Sequence, residues 1–465
     1  MLVPTDPETL DPRHATDPVA LRTTRLLHAG LVRLDPETLQ PKPYLARSWS
    51  WTDARTLRVE LREGIRFHSG APFTSRDVIA TLRAIASPEV GSRHGRMLDA
   101  VGDARADGDL AVVITLERAH ATLVTDLELP ILRADEAASP PRPDGSLDGL
   151  GPFVVARRSD GEIELAPAKN GALPTPARSV TIRTVHDENA RALRIHAARA
   201  DLVVNGFSPT LLPAMDGARG VSVVARRGAN VTYLLVRGDR GPLADVRVRR
   251  ALAEAIDRER VARTLLAGRA QPATTLIPPS HWAHTPTSPW PQDLAAARAA
   301  IAETHPSRLH LSLLVSTDRL RGTIARFLAQ ELADIGVDIE VGPLELGTLL
   351  GRLGAGDFEL AVLQLPEITE PNVLRVFLHS SYIPPAGANR GRVRDAEVDR
   401  LLDEGDAELV PEARRTIYAA LERRLRDQAL LIPLWHEDQV AVVSDRARGF
   451  VPSAEGRWLG LADLR

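Results

Sequence analysis

The chain of 465 residues contains no cysteine. That excludes disulfides, thiolate metal centres, iron–sulfur clusters and cysteine nucleophiles. It does not fix a compartment, because a chain this long buries a core that needs no covalent staples. Lysine is almost as scarce: Lys42 and Lys169 are the only two, which leaves 56 of the 58 cations to arginine. The arginines are spread along the chain, so GC-rich coding explains the bias more simply than a dedicated set of forked anion donors. No run of 18 apolar residues occurs, and no transmembrane helix is expected. The first residues, Met1-Leu2-Val3-Pro4-Thr5, lack the charged and apolar regions of a secretory leader. Charge is nearly balanced, 58 basic against 61 acidic for a formal −3. That argues against a chain built to hold nucleic acid or an anionic membrane.

What is present is an ordinary globular composition, 44% hydrophobic and 26% charged, with length for roughly three domain equivalents. The first 45 residues are rich in Asp-Pro steps (Asp6-Pro7, Asp11-Pro12, Asp17-Pro18, Asp35-Pro36), which favour turns and extended backbone. Between them, Val19 to Leu31 is expected to be helical. Thr56 to Leu61 alternates like a half-buried strand. Arg66 to Pro72 is read as a short strand entering a turn, before a helix capped by Thr74 or Ser75. The Pro/Gly-rich stretch 134–152, ending Gly149-Leu150-Gly151-Pro152, is the clearest crossing between domains in this half. Strands are expected at 153–155, 163–165, 181–185, 231–236, 337–341 and 358–365. Helices capped by Asp187, Asp245 and Asp257, and helices 319–335 and 411–428, alternate with them. A final strand pair is expected near Leu431 and Val440 to Val443. This alternation favours α/β lobes, and the Pro-rich crossings favour more than one.

Motifs that carry chemistry are missing. Gly149-Leu150-Gly151 has no third glycine and no following helix, so it is not a dinucleotide fingerprint, and there is no phosphate loop, nucleophile elbow, zinc-protease helix or calcium loop. His281 and His284 could bind a metal, but a solvated loop is the simpler reading. An enzyme has little support. A binding protein, which needs a shaped site and no reacting constellation, is expected to look like this.

The run Leu45-Ala46-Arg47-Ser48-Trp49-Ser50-Trp51, followed by Thr56 through Val78 with its Arg66-Phe67-His68-Ser69-Gly70-Ala71-Pro72-Phe73-Thr74 core, resembles the signature of the family 5 extracytoplasmic solute-binding proteins. These are the peptide, dipeptide and nickel receptors of ABC importers. Further resemblances keep the family's order: Asp6 through Pro12, Gly149 through Phe153, Asp245 through Arg258, Ile335 through Ile339, Gly356 through Leu360, Asp395 through Asp399 and Leu431 through Leu434. The resemblance implies an α/β periplasmic binding protein-like fold of two lobes (class II, cluster C) with an additional inserted domain. Lobe I would comprise 1–45, 150–228 and 437–465, the extra domain 46–149, and lobe III 229–436. It implies a ligand enclosed between lobes I and III, with the closed form recognised by the membrane permease.

In the peptide receptors of this family an acidic residue after the buried strand of lobe III grips the peptide ammonium. Here the matching segment is Pro366-Glu367-Ile368-Thr369-Glu370-Pro371, which puts Glu367 at that position. Glutamate replaces the usual aspartate, and Ile368 the usual tyrosine. A carboxylate in a water-poor site gains far more from a cation than it would in water. Weaker ligand-binding candidates are Asn230, Tyr233, Arg237, Asn389, Arg390, Trp435 and His436. The low aromatic content, 4%, suits a peptide better than a stacked sugar.

The expectation is therefore a substrate-binding protein of an ABC importer that takes a di- or oligopeptide. It would have no catalytic residue, metal or cofactor, would act as a monomer, and would have ABC permease subunits and no nucleic acid as partners. It would be periplasmic or anchored outside the membrane, with a leader and lipidated cysteine trimmed away. Alternatives are a nickel-chelate or other small-solute receptor of the same fold, or the solute-sensing domain of a regulator, which would ordinarily carry an N-terminal helix-turn-helix.

Overall fold

The structure is a computed structural model that describes residues 1–142 and 145–465. Pro143 and Asp144, in the middle of the proline cluster, lie outside the described residues. The chain divides into two compact units. The first comprises Met1–Phe207, Leu211–Arg226 and Gln439–Arg465, and the second Ser208–Thr210 and Arg227–Asp438. Each holds its own sheets and cores, in the α/β style expected from the alternation.

The first unit is built on a mixed seven-stranded sheet. Its order is Val221–Arg226, Gln439–Ser444, Leu202–Val204, Leu2–Val3, Val180–Thr184, Glu162–Pro167 and Phe153–Ser159. The short strand Leu2–Val3 runs parallel to both its neighbours, while the outer pairs are antiparallel. A second, antiparallel sheet of four strands (Ala46–Asp53, Thr56–Leu61, Ala111–Leu116, Val101–Ala106) has its own core with Leu57, Val59, Phe67, Val78 and Ile114. The helix Ser75–Ala86 supplies Val78, Leu82 and Ile85 to that core, and Thr74 and Asp77 form a reciprocal capping box at its start.

Two expectations in this unit are corrected. The helix expected over 19–31 is Pro18–Leu27. His28 is already extended, because the chain must turn where Gly30 packs against the Glu128 backbone. The segment 66–72 is a turn closed by the Phe67 N–H to the Ala71 carbonyl, 2.9 Å, and a single Arg66–Pro72 bridge. The glycines of the 149–152 crossing have a steric cause. A Cβ on Gly149 would lie 2.0 Å from the Leu27 carbonyl oxygen, and one on Gly151 2.4 Å from that of Leu26, so the backbones could not touch with any other residue.

The second unit is a six-stranded sheet, ordered Ala270–Pro272, Leu431–Glu437, Val231–Val236, Leu360–Leu365, Leu309–Ser316 and Val337–Leu344. The last three strands are parallel, and the others antiparallel. Val231–Val236 is buried along its whole length. Its residues alternate between two cores: Leu234 and Val236 join one, Val231, Tyr233 and Leu235 the other. Helices Val246–Ala255, Arg258–Thr264 and Arg319–Ala333 cover the first face, with Asp245, Asp257 and Asp318 accepting from the N–H groups of their first turns. Helices Ala396–Ala407 and Pro411–Gln428 pack on the second.

The expected final strand pair is not a pair. Leu431–Glu437 bonds to Val231–Val236 and Ala270–Pro272, whereas Gln439–Ser444 bonds to Leu202–Val204 and Val221–Arg226. A single residue, Asp438, separates strands that belong to different sheets. The tightest common hairpin loop has two residues, so one residue is too short to reverse the chain and pair the two strands.

Candidate functional site

In an open α/β sheet, ligands bind beyond the carboxyl ends of the parallel strands, where loops and helix starts converge. In the second unit, Leu309–Ser316 and Leu360–Leu365 end at the same edge. The antiparallel neighbours bring the start of Val231–Val236 and the end of Leu431–Glu437 to that edge as well. Residues far apart in sequence therefore meet there: Asn230, the Pro366–Glu370 segment, His436, Glu437 and the first turn of Arg319–Ala333.

Asn230 is buried and pins the strand ends. Its Nδ2 donates to the Glu437 carbonyl at 2.7 Å, and its Oδ1 accepts from the Glu437 N–H at 2.8 Å. The Asn230 carbonyl in turn meets His436 Nδ1 at 2.5 Å. Burial lowers the His436 pKa to about 4, although the contact with that carbonyl pulls the other way. The imidazole is thus neutral at pH 7.

The Glu437 carboxylate is the hub of a polar cluster. Its Oε1 accepts from Arg321 Nη1 at 2.7 Å, Thr232 Oγ1 at 2.9 Å and Trp435 Nε1 at 3.2 Å. Burial by itself would raise its pKa, but the Arg321 guanidinium and the three donors outweigh that and hold it below the usual carboxylate range. A register shift between Thr232 and Tyr233 in the pairing with Leu431–Glu437 makes the geometry possible. The bulge puts Leu434 and Trp435, consecutive residues, into the same core, which turns the indole N–H toward Glu437. Arg321 and Glu437 were not among the sequence candidates. A helix over 319–335 was expected, but nothing in the sequence says that its first turn meets a strand end 116 positions later.

The Pro366–Glu370 segment is fixed at both sides of Glu367. The Ile368 N–H donates to the Ala229 carbonyl at 2.6 Å, and the Ile368 side chain is fully buried. Glu370 is buried, caps the short turn Pro371–Val373, and forms an ion pair with the buried Arg414. Arg414 also donates to the Gly405 carbonyl at 3.0 Å and lies over the rings of Trp282 and Tyr418. Glu367 itself is half-buried on this rigid segment. On the helix Pro411–Gln428, Glu422 is buried and accepts from the N–H groups of Leu276 and Ile277; burial pushes its pKa up to about 7.

The remaining candidates lie elsewhere. Tyr233 is 2% exposed, inside the second core, and burial drives its phenol pKa upward. Trp435 is fully buried and reaches the edge only through its N–H. Arg237 stands beyond the opposite end of its strand from Asn230, about 23 Å of extended chain away across the six residues Val231–Val236. There it pairs with Asp239 at 2.5 Å, donates to the Gly356 carbonyl, and lines a separate cavity of about 350 Å³ with Arg240, Ser312 and Glu359. Asn389 is fully buried, and its amide is engaged by the backbone of Leu378, His379 and Val393. Arg390 is half-buried beside it and acts electrostatically on Tyr233. The structure thus gathers Asn230, Glu367 and His436 with the Trp435 N–H, and leaves Tyr233, Arg237, Asn389 and Arg390 away from them.

His281 and His284 are not in a solvated loop. His281 is 3% exposed, accepts from the Ala283 N–H through Nδ1, and is held neutral by burial, with a pKa of about 3. His284 Nδ1 meets the Ile277 carbonyl at 3.0 Å. Among the described residues no group of three His, Asp or Glu side chains is placed to hold a metal ion, and no helix is long and apolar enough to cross a membrane.

Residues 40–381 match the model of the bacterial extracellular solute-binding proteins, family 5. A probable di/tripeptide-binding protein of Pseudomonas aeruginosa (strain UCBPP-PA14) is 25% identical over 466 residues, covering 92% of this chain and 88% of that protein. The oligopeptide-binding protein AppA of Bacillus subtilis, solved with a nonapeptide, superposes with a TM-score of 0.80 at 19% identity, over 99% of this chain and 97% of its own. NikZ of Campylobacter jejuni, solved with Ni(L-His), gives 0.82 at 20% identity, over 98% and 97%. At these identities the solved structures show a shared fold, that of the two-lobed periplasmic binding proteins. The chain belongs to the family 5 bacterial extracellular solute-binding proteins, the substrate-binding components of ABC transporters, and is a transport receptor rather than an enzyme.

Proposed function

We propose that this receptor binds a short peptide and that Glu367 takes the peptide's N-terminal ammonium. The observation that carries the proposal is the setting of Glu367. It is a half-buried carboxylate at the carboxyl end of a parallel strand, on a segment anchored by Ile368 on one side and by the Glu370–Arg414 pair on the other. A fixed carboxylate loses little on capturing a cation, because it has already been ordered. Asn230 and Glu437 hold the neighbouring strand ends, and Arg321 supplies positive charge at the same edge. The peptide named for the Pseudomonas relative and for AppA supports the same cargo class. We also take the lobes as 1–45, 150–228 and 437–465 for lobe I and 229–436 for lobe III, with 46–149 as the inserted domain. The protein works as a monomer outside the cytoplasmic membrane and hands its cargo to permease subunits.

Isothermal titration with tri-alanine, its N-acetylated form and Ni(L-His) tests this reading. The free-amine peptide binds. Glu367→Gln weakens it by about 10- to 100-fold, the worth of one charge-assisted hydrogen bond. The acetylated peptide binds weakly and is indifferent to the substitution. Equal affinity of wild type and Glu367→Gln for the free-amine peptide would remove the ammonium assignment. Binding of Ni(L-His) in place of either peptide would move the cargo to the metal-chelate class named for NikZ.

A further inference from the structure

The helix Ser75–Ala86 and the strand Val101–Ala106 flank a groove of about 490 Å³ in the first unit. The strand is the last in its sheet, so one side of its backbone has no strand partner. The Asp107 N–H donates to the Ala111 carbonyl at 2.9 Å, which fixes the phase of the antiparallel ladder. Arg105 opposite Val113 is then a hydrogen-bonded pair, and the N–H and C=O groups of Ala104 and Ala106 point away from the neighbouring strand. Both alanines line the groove, Ala106 exposed at its mouth and Ala104 buried deeper against the core, and Ile79 and Ala80 complete the floor. The chain therefore offers an unpaired strand edge beside a helix over a small apolar floor.

The rim is basic. Arg76 and Arg83, two helical turns apart and so on one face, stand on the helix, and Arg105 stands on the strand. All three are exposed, and none has an ion pair or side-chain hydrogen bond among the described residues. Elsewhere exposed arginines commonly find acids, as in Arg400 with Glu397 and Glu404, or Arg58 with Glu60 and Asp107. Asp103 is the one carboxylate in the lining.

We propose that this groove is a docking site for an extended, acidic segment of a partner protein. The segment adds as a strand to the free edge, bonds to the Ala104 and Ala106 backbone, and sets its carboxylates against Arg76, Arg83 and Arg105. Strand addition supplies affinity through the main chain and leaves selection to the side chains, here to charge.

The test is fluorescence anisotropy on the full chain. The probe is a fluorescein-labelled, amidated peptide alternating glutamate with valine, alongside its lysine counterpart. The glutamate peptide binds, and its affinity falls at least about tenfold between about 50 mM and about 300 mM salt. Arg76→Glu with Arg83→Glu weakens it by at least about tenfold, as loss of charge-assisted contacts requires. Ala106→Pro removes one outward N–H without touching the ladder and weakens it several-fold, with the melting temperature retained. On the wild-type protein, hydrogen exchange at Ala104 and Ala106 slows when the glutamate peptide is bound. Glu367→Gln leaves all of this unchanged, which separates the groove from the peptide site proposed above. Equal binding of the lysine peptide, an unaltered affinity in the double arginine variant, or unchanged exchange at both alanines overturns the proposal. So does displacement of the peptide by inorganic phosphate, which makes this a small-anion site, or self-association that the arginine variant abolishes, which makes the occupant a second copy.

Discussion

Two asparagines, one in each unit, do the same mechanical work with opposite electrostatics. In the first unit Asn205 accepts from the Val440 N–H at 2.8 Å and donates to the side-chain amide of Gln439. In the second, Asn230 accepts from the Glu437 N–H at 2.8 Å and donates to the Glu437 backbone carbonyl. Asn205 follows its strand and is tied to the start of Gln439–Ser444, and Asn230 precedes its strand and is tied to the end of Leu431–Glu437. The first tie consumes its side-chain partner. The second leaves the Glu437 carboxylate free to collect Arg321, Thr232 and Trp435. The buttresses differ in the same sense. Arg191 in the first unit is buried and donates to the backbone carbonyls of Val185, His186 and Gly206. Arg414 in the second has the carboxylate of Glu370 as well. The acceptors at the first tie are neutral carbonyl and amide groups, whereas those at the second include the carboxylates of Glu437 and Glu370. Only the second set can change charge with pH at its acceptors.

The contrast can be broken most severely at the buttresses. Arg414→Ala strands Glu370 without its cation in a buried site and should cost about 3–5 kcal/mol in urea unfolding. Arg191→Ala leaves neutral carbonyls unpaired and should cost less, about 1–3 kcal/mol. Equal losses would mean that the Glu370 charge contributes nothing.

The pH response comes next. His436 is neutral when folded, with a pKa of about 4, while the unfolded side chain titrates near 6.5. Below about pH 6.5 the unfolded state takes a proton that the folded state refuses, so stability is lost as pH falls from there toward about 4. The stability of wild type relative to His436→Gln should therefore drop by roughly 2–3 kcal/mol between pH 7 and pH 4.5, followed by denaturant titration at each pH. A flat difference would show that the imidazole is solvated.

The smallest and sharpest comparison sets Glu437→Gln against Gln439→Ala. Each should cost about 1–2 kcal/mol at neutral pH. The folded pKa of Glu437 is depressed, so its contribution is present above the usual glutamate value of about 4.3 and is lost as pH falls below it. The Glu437→Gln deficit should shrink in acid, and the Gln439→Ala deficit should not.

Much of the fold was legible because it rests on local signals. The helix over 411–428 was delimited by Pro411 and an apolar stripe, and the structure has it as Pro411–Gln428. The caps at Asp245 and Asp257 and the turn at Gly336 follow from side-chain reach and from a φ of +88° that glycine tolerates best. The strand periods at 56–61 and 231–236 likewise report which residues face a core. Strand partnership was not legible. Leu431–Glu437 and Gln439–Ser444 look like a hairpin in sequence and belong to two sheets in space, because hydrophobic pattern says which face is buried and not against what.

The candidate site shows the same limit. The resemblance to the family marked Glu367, and the structure sets it on a segment anchored to Ala229 and Arg414. It could not mark Arg321 or Glu437, which meet only because a bulge and three strand ends share one edge. By itself the sequence determined part of the element inventory, the caps at Asp187, Asp245 and Asp257, the absence of thiol chemistry and the family. Tertiary structure alone decided which Asn, Glu and Arg side chains converge, which histidines are sealed and neutral, and which arginines are left without an acid. Those outcomes depend on long-range registry and on desolvation, and neither is a property of any local stretch of chain.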